Sequence, residues 1–329
     1  MPIRFLTGHL LLLFLLTGWL LPGWPLLTGW PLLTYLWTSG GQDPVRPRPP
    51  DESTFGIETN LVVVNVAVRD ERHRFVRDLP RPDFQILEDG RRQEILSFDV
   101  AESPAAVAIL LDASGSMENR LSLVRAACSL FVDGLKEGDS YAIFSFGDSK
   151  VRQLQKFSEI REIPDAVWDL RARGRTVLYD AIVEAAAALA QRPERRRAIL
   201  IVSDGADNQS RASLDEATRR AVEAQLVVYA VDLSDAGLLG TRPGTESGAV
   251  ALRGLTTRTG GRFFTSPGGA RLREAFGETI EELRHQYTLT YNSTNESQDG
   301  RWRKIEVRIA RPSLEIRTRQ GYWARRRER

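Results

Sequence analysis

Hydrophobic and polar positions change rhythm three times along the chain. Between Asn60 and Val100 they alternate with a period of two, clearest from Leu61 to Val68. That alternation predicts half-buried strands. Phe84 to Leu87, the turn Asp89-Gly90 and Glu94 to Phe98 read as a hairpin. After Ser103-Pro104 short solid apolar runs take over, at Val107 to Leu111, Tyr141 to Phe146, Ala198 to Val202 and Leu226 to Val231. Amphipathic stretches separate them. One follows the first run and carries Leu121, Val124, Cys128, Phe131 and Leu135 on one stripe; others span Val177 to Ala190, Leu214 to Ala224 and Ala249 to Thr259. Gly260-Gly261 closes the last of these, and Arg262 to Thr265 reads as a short final strand. Runs that are apolar throughout need cover on both faces, so this stretch is expected to be α/β, a doubly wound, mostly parallel sheet. A further helix, about Leu272 to Arg284, leads back to period two in Gln286 to Tyr291, Lys304 to Ile309 and Leu314 to Arg317.

Three short strands at either end would each leave one apolar face wet. The simplest closure pairs the two sets into one antiparallel β-sandwich of about six or seven strands, with the α/β domain inserted in it. Val62, Val64, Val66 and Val68 are then expected to face Tyr287, Leu289, Tyr291, Ile305, Val307 or Ile309 across the core. The expected organisation is 57–103 for the first sandwich strands, 104–270 for the α/β domain, 271–323 for a helix and the closing strands, and 324–329 for a basic tail.

Residues 1–41 differ from the rest. After Arg4 no Asp, Glu, Lys or Arg occurs until Asp43, and Leu-Leu-Thr-Gly-Trp appears at Leu15 to Trp19 and again at Leu26 to Trp30. A basic start, an apolar run and Ser39-Gly40-Gly41 read as a secretory signal or an N-terminal anchor. Pro22, Pro25 and Pro31 weigh against one straight spanning helix. The Pro- and Arg-rich stretch 42–56 follows as a linker. The expected location is extracytoplasmic, periplasmic or secreted, with membrane contact only through the N-terminal segment.

Composition narrows the chemistry. In 329 residues, 45 Lys plus Arg against 43 Asp plus Glu leave a net charge of +2, so no global field favours nucleic acid, and none is expected as a partner. The single cysteine, Cys128, excludes an intramolecular disulfide and reads as a core residue of the first helix. The three histidines, His9, His73 and His285, share no ligand or catalytic spacing. The arginines at 325, 326, 327 and 329 read as a solvated tail.

In an open parallel sheet, ligands sit beyond the carboxyl ends of the strands. Beyond the first run stands Asp112-Ala113-Ser114-Gly115-Ser116, beyond Ala198 to Val202 stands Ser203-Asp204-Gly205, and Arg175-Thr176-Val177 opens a helix between them. Asp112, Ser114, Ser116, Thr176 and Asp204 thus reach one rim with hard oxygen donors, a set suited to Mg²⁺ (or Mn²⁺) and not to zinc. Asp180, Asp207 and Asn208 lie nearby but read as caps and turn residues.

On these motifs the run from Val107 to about Thr265 resembles a von Willebrand factor type A domain with its metal-ion-dependent adhesion site. The D-x-S-x-S pattern is complete in Asp112, Ser114 and Ser116, the family threonine falls on Thr176, and the second aspartate falls on Asp204. The resemblance implies that Ser114, Ser116 and Thr176 hold the ion directly or through water, and that Asp112 and Asp204 act largely through water. A bacterial subgroup, the acidobacterial-type VWFA-related proteins, is closer still in Asp83 to Gly90, Gln286 to Leu289 and Arg317 to Trp323. Arg175 departs from the small residue common in that loop and is expected to put a cation beside the ligands.

The expected function is a non-enzymatic binding module whose ion takes a carboxylate from a protein ligand. One alternative is an Mg-dependent phosphoester hydrolase with Asp112 as nucleophile, which the serine two residues on disfavours because aspartate phosphotransferases carry a carboxylate there. No P-loop, histidine partner or serine elbow supports that reading either. The other alternative is a scaffold whose metal site is only structural. The segment from Ser234 to Gly248, glycine-rich with Pro243 and Glu246, follows a strand end at the same rim and is expected to set specificity.

Overall fold

The computed structural model describes residues 61–100, 102–234, 245–265 and 269–326. The expectations for residues 1–56, for most of the 234–248 segment and for Arg327 and Arg329 lie outside the described residues.

Among the described residues, fourteen strands and six α-helices follow in chain order. The strands β1 (Leu61–Arg69), β2 (Phe84–Glu88), β3 (Arg91–Gln93) and β4 (Ile95–Asp99) come first. Then come β5 (Ala105–Asp112), α1 (Leu121–Gly134), β6 (Ser140–Gly147), β7 (Lys150–Ser158), α2 (Asp165–Trp168), α3 (Leu178–Ala190) and β8 (Arg196–Ser203). They are followed by α4 (Leu214–Glu223), β9 (Val227–Asp232), α5 (Thr245–Thr259), β10 (Phe263–Thr265) and α6 (Gly269–Arg284). The chain closes with β11 (Gln286–Asn292), β12 (Trp302–Ile309), β13 (Glu315–Thr318) and β14 (Gly321–Trp323).

The central sheet has the order β10-β9-β8-β5-β6-β7 and is parallel except for β7, which pairs antiparallel with β6 at one edge. Every residue of β5 is buried, and the pleat divides them between two cores. Val107, Ile109 and Leu111 pack with α1 and α6, where Phe131 meets Phe276 edge-on. Ala106, Ala108 and Leu110 pack with α3, α4 and α5 on the other face. Cys128 lies in the first of these cores, as its stripe predicts, and burial pushes its thiol up to about 12.

The two ends of the described chain, 61–99 and 286–323, build a sandwich of eight described strands. One sheet has the order β13-β1-β11-β4 and the other β14-β12-β2-β3. Val62, Val64 and Val66 stand opposite Tyr291, Leu289 and Tyr287 in the β1/β11 register, and Val307 opposite Ile86 in β12/β2. All of these share one core, with Val68, Phe84 and Ile305. Two details correct the sequence reading. The hairpin partner of β2 is β3, and the chain then breaks at Glu94 and crosses to the other sheet as β4. The strand count rises to eight because β3 and β14, three residues each and rich in Arg or aromatic side chains, carry too little alternation to be read.

Buried polar contacts tie the sandwich to the α/β layers. Arg69 of β1 lies 3.1 Å from Glu278 and 3.4 Å from Glu282, both on α6, and the Tyr229 hydroxyl of β9 donates to Glu282 at 3.0 Å. Among the described residues, no helix is long and apolar enough to cross a membrane.

Candidate metal centre

Three loops meet at the carboxyl end of the parallel sheet. Asp112 ends β5 and is fully buried. The chain then turns, and backbone bonds fix the turn: Ala113 N–H donates to Phe146 O at 2.8 Å, Gly115 N–H to Gly174 O at 3.0 Å and Arg173 N–H to Ala113 O at 2.9 Å. The end of β6 approaches so closely that a Cβ on Gly147 would stand 2.6 Å from the Ala113 carbonyl carbon, so only glycine permits this seat. The loop carrying Thr176 is held by Asn208, whose Oδ1 accepts from Thr176 N–H at 3.0 Å while the Thr176 carbonyl accepts from Gln209 N–H at 3.1 Å.

The parallel register pairs Leu111 with Val202, so Asp112 falls beside Ser203. Ser203 Oγ donates to Asp112 Oδ2 at 2.5 Å, and Ser114 N–H donates to Asp112 Oδ1 at 2.8 Å. Ser114 Oγ and Ser116 Oγ are 3.1 Å apart; Ser114 is buried and Ser116 is exposed. Thr176 and Asp204 are buried as well. After Asp204 the chain passes through Gly205 at φ +79°, where α5 packs tightly: a Cβ there would lie 2.8 Å from the Gly248 carbonyl carbon. Leu233 N–H donates to Ser203 O at 2.9 Å. Leu233 and Gly248, which bracket the glycine-rich segment, therefore both touch the Ser203 to Gly205 loop.

The electrostatics of this rim are anionic. Burial pushes the Asp112 carboxyl up to about 7; the donors Ser114 and Ser203 hold it lower, and the charge of Asp204 raises it further. Asp232, at the end of β9, is a third buried carboxylate, raised mainly by burial and also by Asp204, with its own Oδ1 accepting from Ser234 N–H at 2.8 Å. Among the described residues a cation stands nearby. Arg120 Nη1 is 3.9 Å from Asp204 Oδ2, and its charge lowers Asp232 against the other effects. Arg175, expected to supply a local cation, is exposed, and its carbonyl accepts from Ser149 N–H at 3.2 Å.

Sequence reasoning thus brings Asp112, Ser114, Ser116, Thr176 and Asp204 to one rim and misses Ser203, Asp232 and Arg120. Ser203 and Asp232 carry the same signal as Asp112, a polar residue closing an apolar strand, whereas Arg120 has no motif. Asp207 both turns and caps: its Oδ1 accepts from Ser210 N–H at 3.1 Å in a local turn and its Oδ2 from Tyr179 N–H at 3.1 Å at the start of α3, whereas Asp180 forms no turn but accepts from Ala212 N–H at 2.9 Å across to the next loop. Among the described residues, no three His, Cys, Asp or Glu side chains group as a metal-ligand set. A cation here would rest on a carboxylate pair and hydroxyls.

Residues 107–206 match the family model of the von Willebrand factor type A domain, so the chain carries a domain of that class. All five rim residues fall within the matched span. No curated protein matches the chain. Similar solved structures include an aerotolerance-related membrane protein from Bacteroides fragilis, 17% identical over 54% of this chain and 98% of that one, at a TM-score of 0.44. A von Willebrand factor type A protein from Catenulispora acidiphila is 12% identical over 78% and 71% of the two chains, at 0.46. The PilB minor pilin from Streptococcus sanguinis is 15% identical over 59% and 64%, at 0.44.

Proposed function

We propose that the protein is a non-enzymatic, extracytoplasmic binding module that engages an acidic group of a protein partner through a divalent cation, Mg²⁺ or Mn²⁺. Asp112, Ser114, Ser116, Thr176 and Asp204 would hold the ion. The observation that carries this reading is the charge balance of the rim among the described residues: the buried carboxylates Asp112, Asp204 and Asp232 act on one another, and the guanidinium of Arg120 is the cation beside Asp204 and Asp232. Like charges removed from water are costly unless a cation compensates them. The donor set is all hard oxygen, which fits magnesium or manganese. Bound there, the ion would offer a Lewis-acid position to a partner's carboxylate.

Each residue has a task in that reading. Ser203 and the Ser114 amide hold Asp112 in one orientation, so its oxygens are fixed before any ion arrives. Asn208 sets the height of the Thr176 loop, and exposed Ser116 stands where a partner can approach. With both Asp112 oxygens accepting hydrogen bonds and the side chain fully buried, in-line attack on a phosphoryl group is disfavoured, which supports binding over hydrolysis. The segment 234–248 would choose among partners, since the residues bracketing it pack on the Asp204 loop.

The test is recovery of a partner from envelope extract by the full chain, with Mg²⁺, with chelator, and with Asp112→Ala. Retention only by the wild type in Mg²⁺ is expected, and deletion of residues 238–246 should abolish it while sparing metal binding. Equal retention in chelator would favour a structural ion, and Mg²⁺-dependent turnover of a generic phosphoester would favour the hydrolase.

A further inference from the structure

A groove of about 1070 Å³ lies between α4 and the closing strands of the sandwich, far in sequence from the metal loops. Arg219 of α4, Arg319, Arg325 and Arg326 line it, and no lysine does. Among the described residues none of these four guanidinium groups is in an ion pair. The one carboxylate in the lining, Glu223, is 3.8 Å from Arg220, a different arginine. Glu88, buried behind Tyr322, is satisfied by hydroxyls instead: Tyr291, Ser293 and Tyr322 donate to it at 2.6, 2.5 and 2.9 Å.

Arg319 adds an independent observation. Its Nε is buried and has no hydrogen-bond partner in the structure. Burial holds its guanidinium below the usual arginine range, and its charge lies 5.7 Å from the Tyr322 ring. A buried donor without an acceptor is costly, and a guanidinium doubly so, which makes a groove-filling acceptor the natural complement. The aromatic surface is already engaged: Arg219 lies 4.9 Å from the Trp323 ring centre, and Trp302 packs edge-on against Trp323 at 4.5 Å. Base stacking, the usual device for single-stranded nucleic acid, therefore has no open platform here. What the groove offers is planar forks of N–H donors, with Ser297 beside them.

We propose that this groove is an anion site for a multiply charged ligand bearing phosphate or sulfate groups, as on a phosphorylated or sulfated glycan or a lipid headgroup. Four guanidiniums against one carboxylate already paired elsewhere call for more than one negative charge, and the volume exceeds that of a single oxyanion. Arg325 and Arg326, which read in the sequence as part of a solvated tail, belong to this wall.

Inorganic pyrophosphate is the probe, titrated into the full chain in chelator so that the metal rim plays no part. Saturable binding that weakens with salt is expected, and Arg219→Gln and Arg325→Gln should each weaken it roughly tenfold or more. Arg308→Gln, which removes an arginine paired with Glu306 on the exposed side of β12, should leave it unchanged. The exposed variants decide the matter even if Arg319→Gln does not fold. Capture by vesicles containing phosphatidate, competed by pyrophosphate, would support the site and assign the group to a lipid headgroup. Competition by a sulfated disaccharide without vesicle capture would support it and assign the group to a glycan. Absence of saturable binding, unchanged affinity in both exposed variants, equal affinity for citrate, or tighter binding of an oligothymidylate would each overturn the proposal.

Discussion

The parallel sheet and the sandwich are both built from buried strands, but they are closed by different means. β5 meets β6 and β8, and the helices that cover it, α1 and α6 on one face and α3 to α5 on the other, all fall in the same stretch of chain from Ala105 to Arg284. In the sandwich, β1 meets β11 and β13, and β2 meets β12, partners from opposite ends of the described chain. Loop closure on that scale is entropically expensive and is recovered only when both sets of strands are present. The α/β part can therefore complete its cores by itself, while each half of the sandwich depends on the other and on the inserted domain to bring it home.

The most severe way to break this contrast is to end the chain at Arg284. Strands β1 to β4 should then lose their amide protection altogether while the central sheet keeps its own. Equal protection of β1 to β4 in the truncated and full-length chains would show that they stand alone. A point change at the junction comes next. Arg69→Met breaks the buried ion pair of Glu282, leaving it the Tyr229 hydroxyl and the charges of Arg317 and Arg262, and should cost up to about 3–5 kcal/mol in denaturant unfolding. Burial raises Glu282 above its ordinary 4.5, so its ionised form opposes folding: that loss should be smallest below pH 4.5 and grow as the pH rises.

Cavities sharpen the comparison further. Leu289→Ala and Leu200→Ala each empty a fully buried site and should each cost about 2–5 kcal/mol. Hydrogen exchange should distinguish them, the first loosening the sandwich strands and the second the central sheet. The smallest effect concerns Cys128. With its thiol pushed up to about 12 inside the α1 core, it should stay unmodified by iodoacetamide at pH 8 and react only on unfolding.

What was legible in the sequence follows the same contrast. Solid runs such as Ala198 to Val202 and stripes such as Val124, Cys128 and Phe131 announce themselves because local burial dictates them. The inward face of β1 was also readable, since four valines alternate. β7 was missed: it is an edge strand whose polar residues outnumber its apolar ones, although the Asp148-Ser149 turn before it, at φ 51° and 59°, is a tight hairpin connection. At the rim, Asp112, Ser114 and Ser116 sit in one short motif, and Thr176 and Asp204 at element ends. Ser203 reaches Asp112 only through the β5/β8 register, and Arg120 reaches Asp204 only through the turn before α1, relations between elements that no local pattern encodes.

The central claim is that the buried carboxylates and hydroxyls at the end of the parallel sheet form a divalent-cation site. Isothermal calorimetry of Mg²⁺ and Mn²⁺ binding to the full chain tests it most directly, alongside Asp112→Ala and Thr176→Ala and with melting followed in parallel. A single saturable site that raises the melting temperature by mass action, and that is lost in Asp112→Ala and weakened in Thr176→Ala, is the result predicted here. Equal heats for the wild type and Asp112→Ala would contradict it.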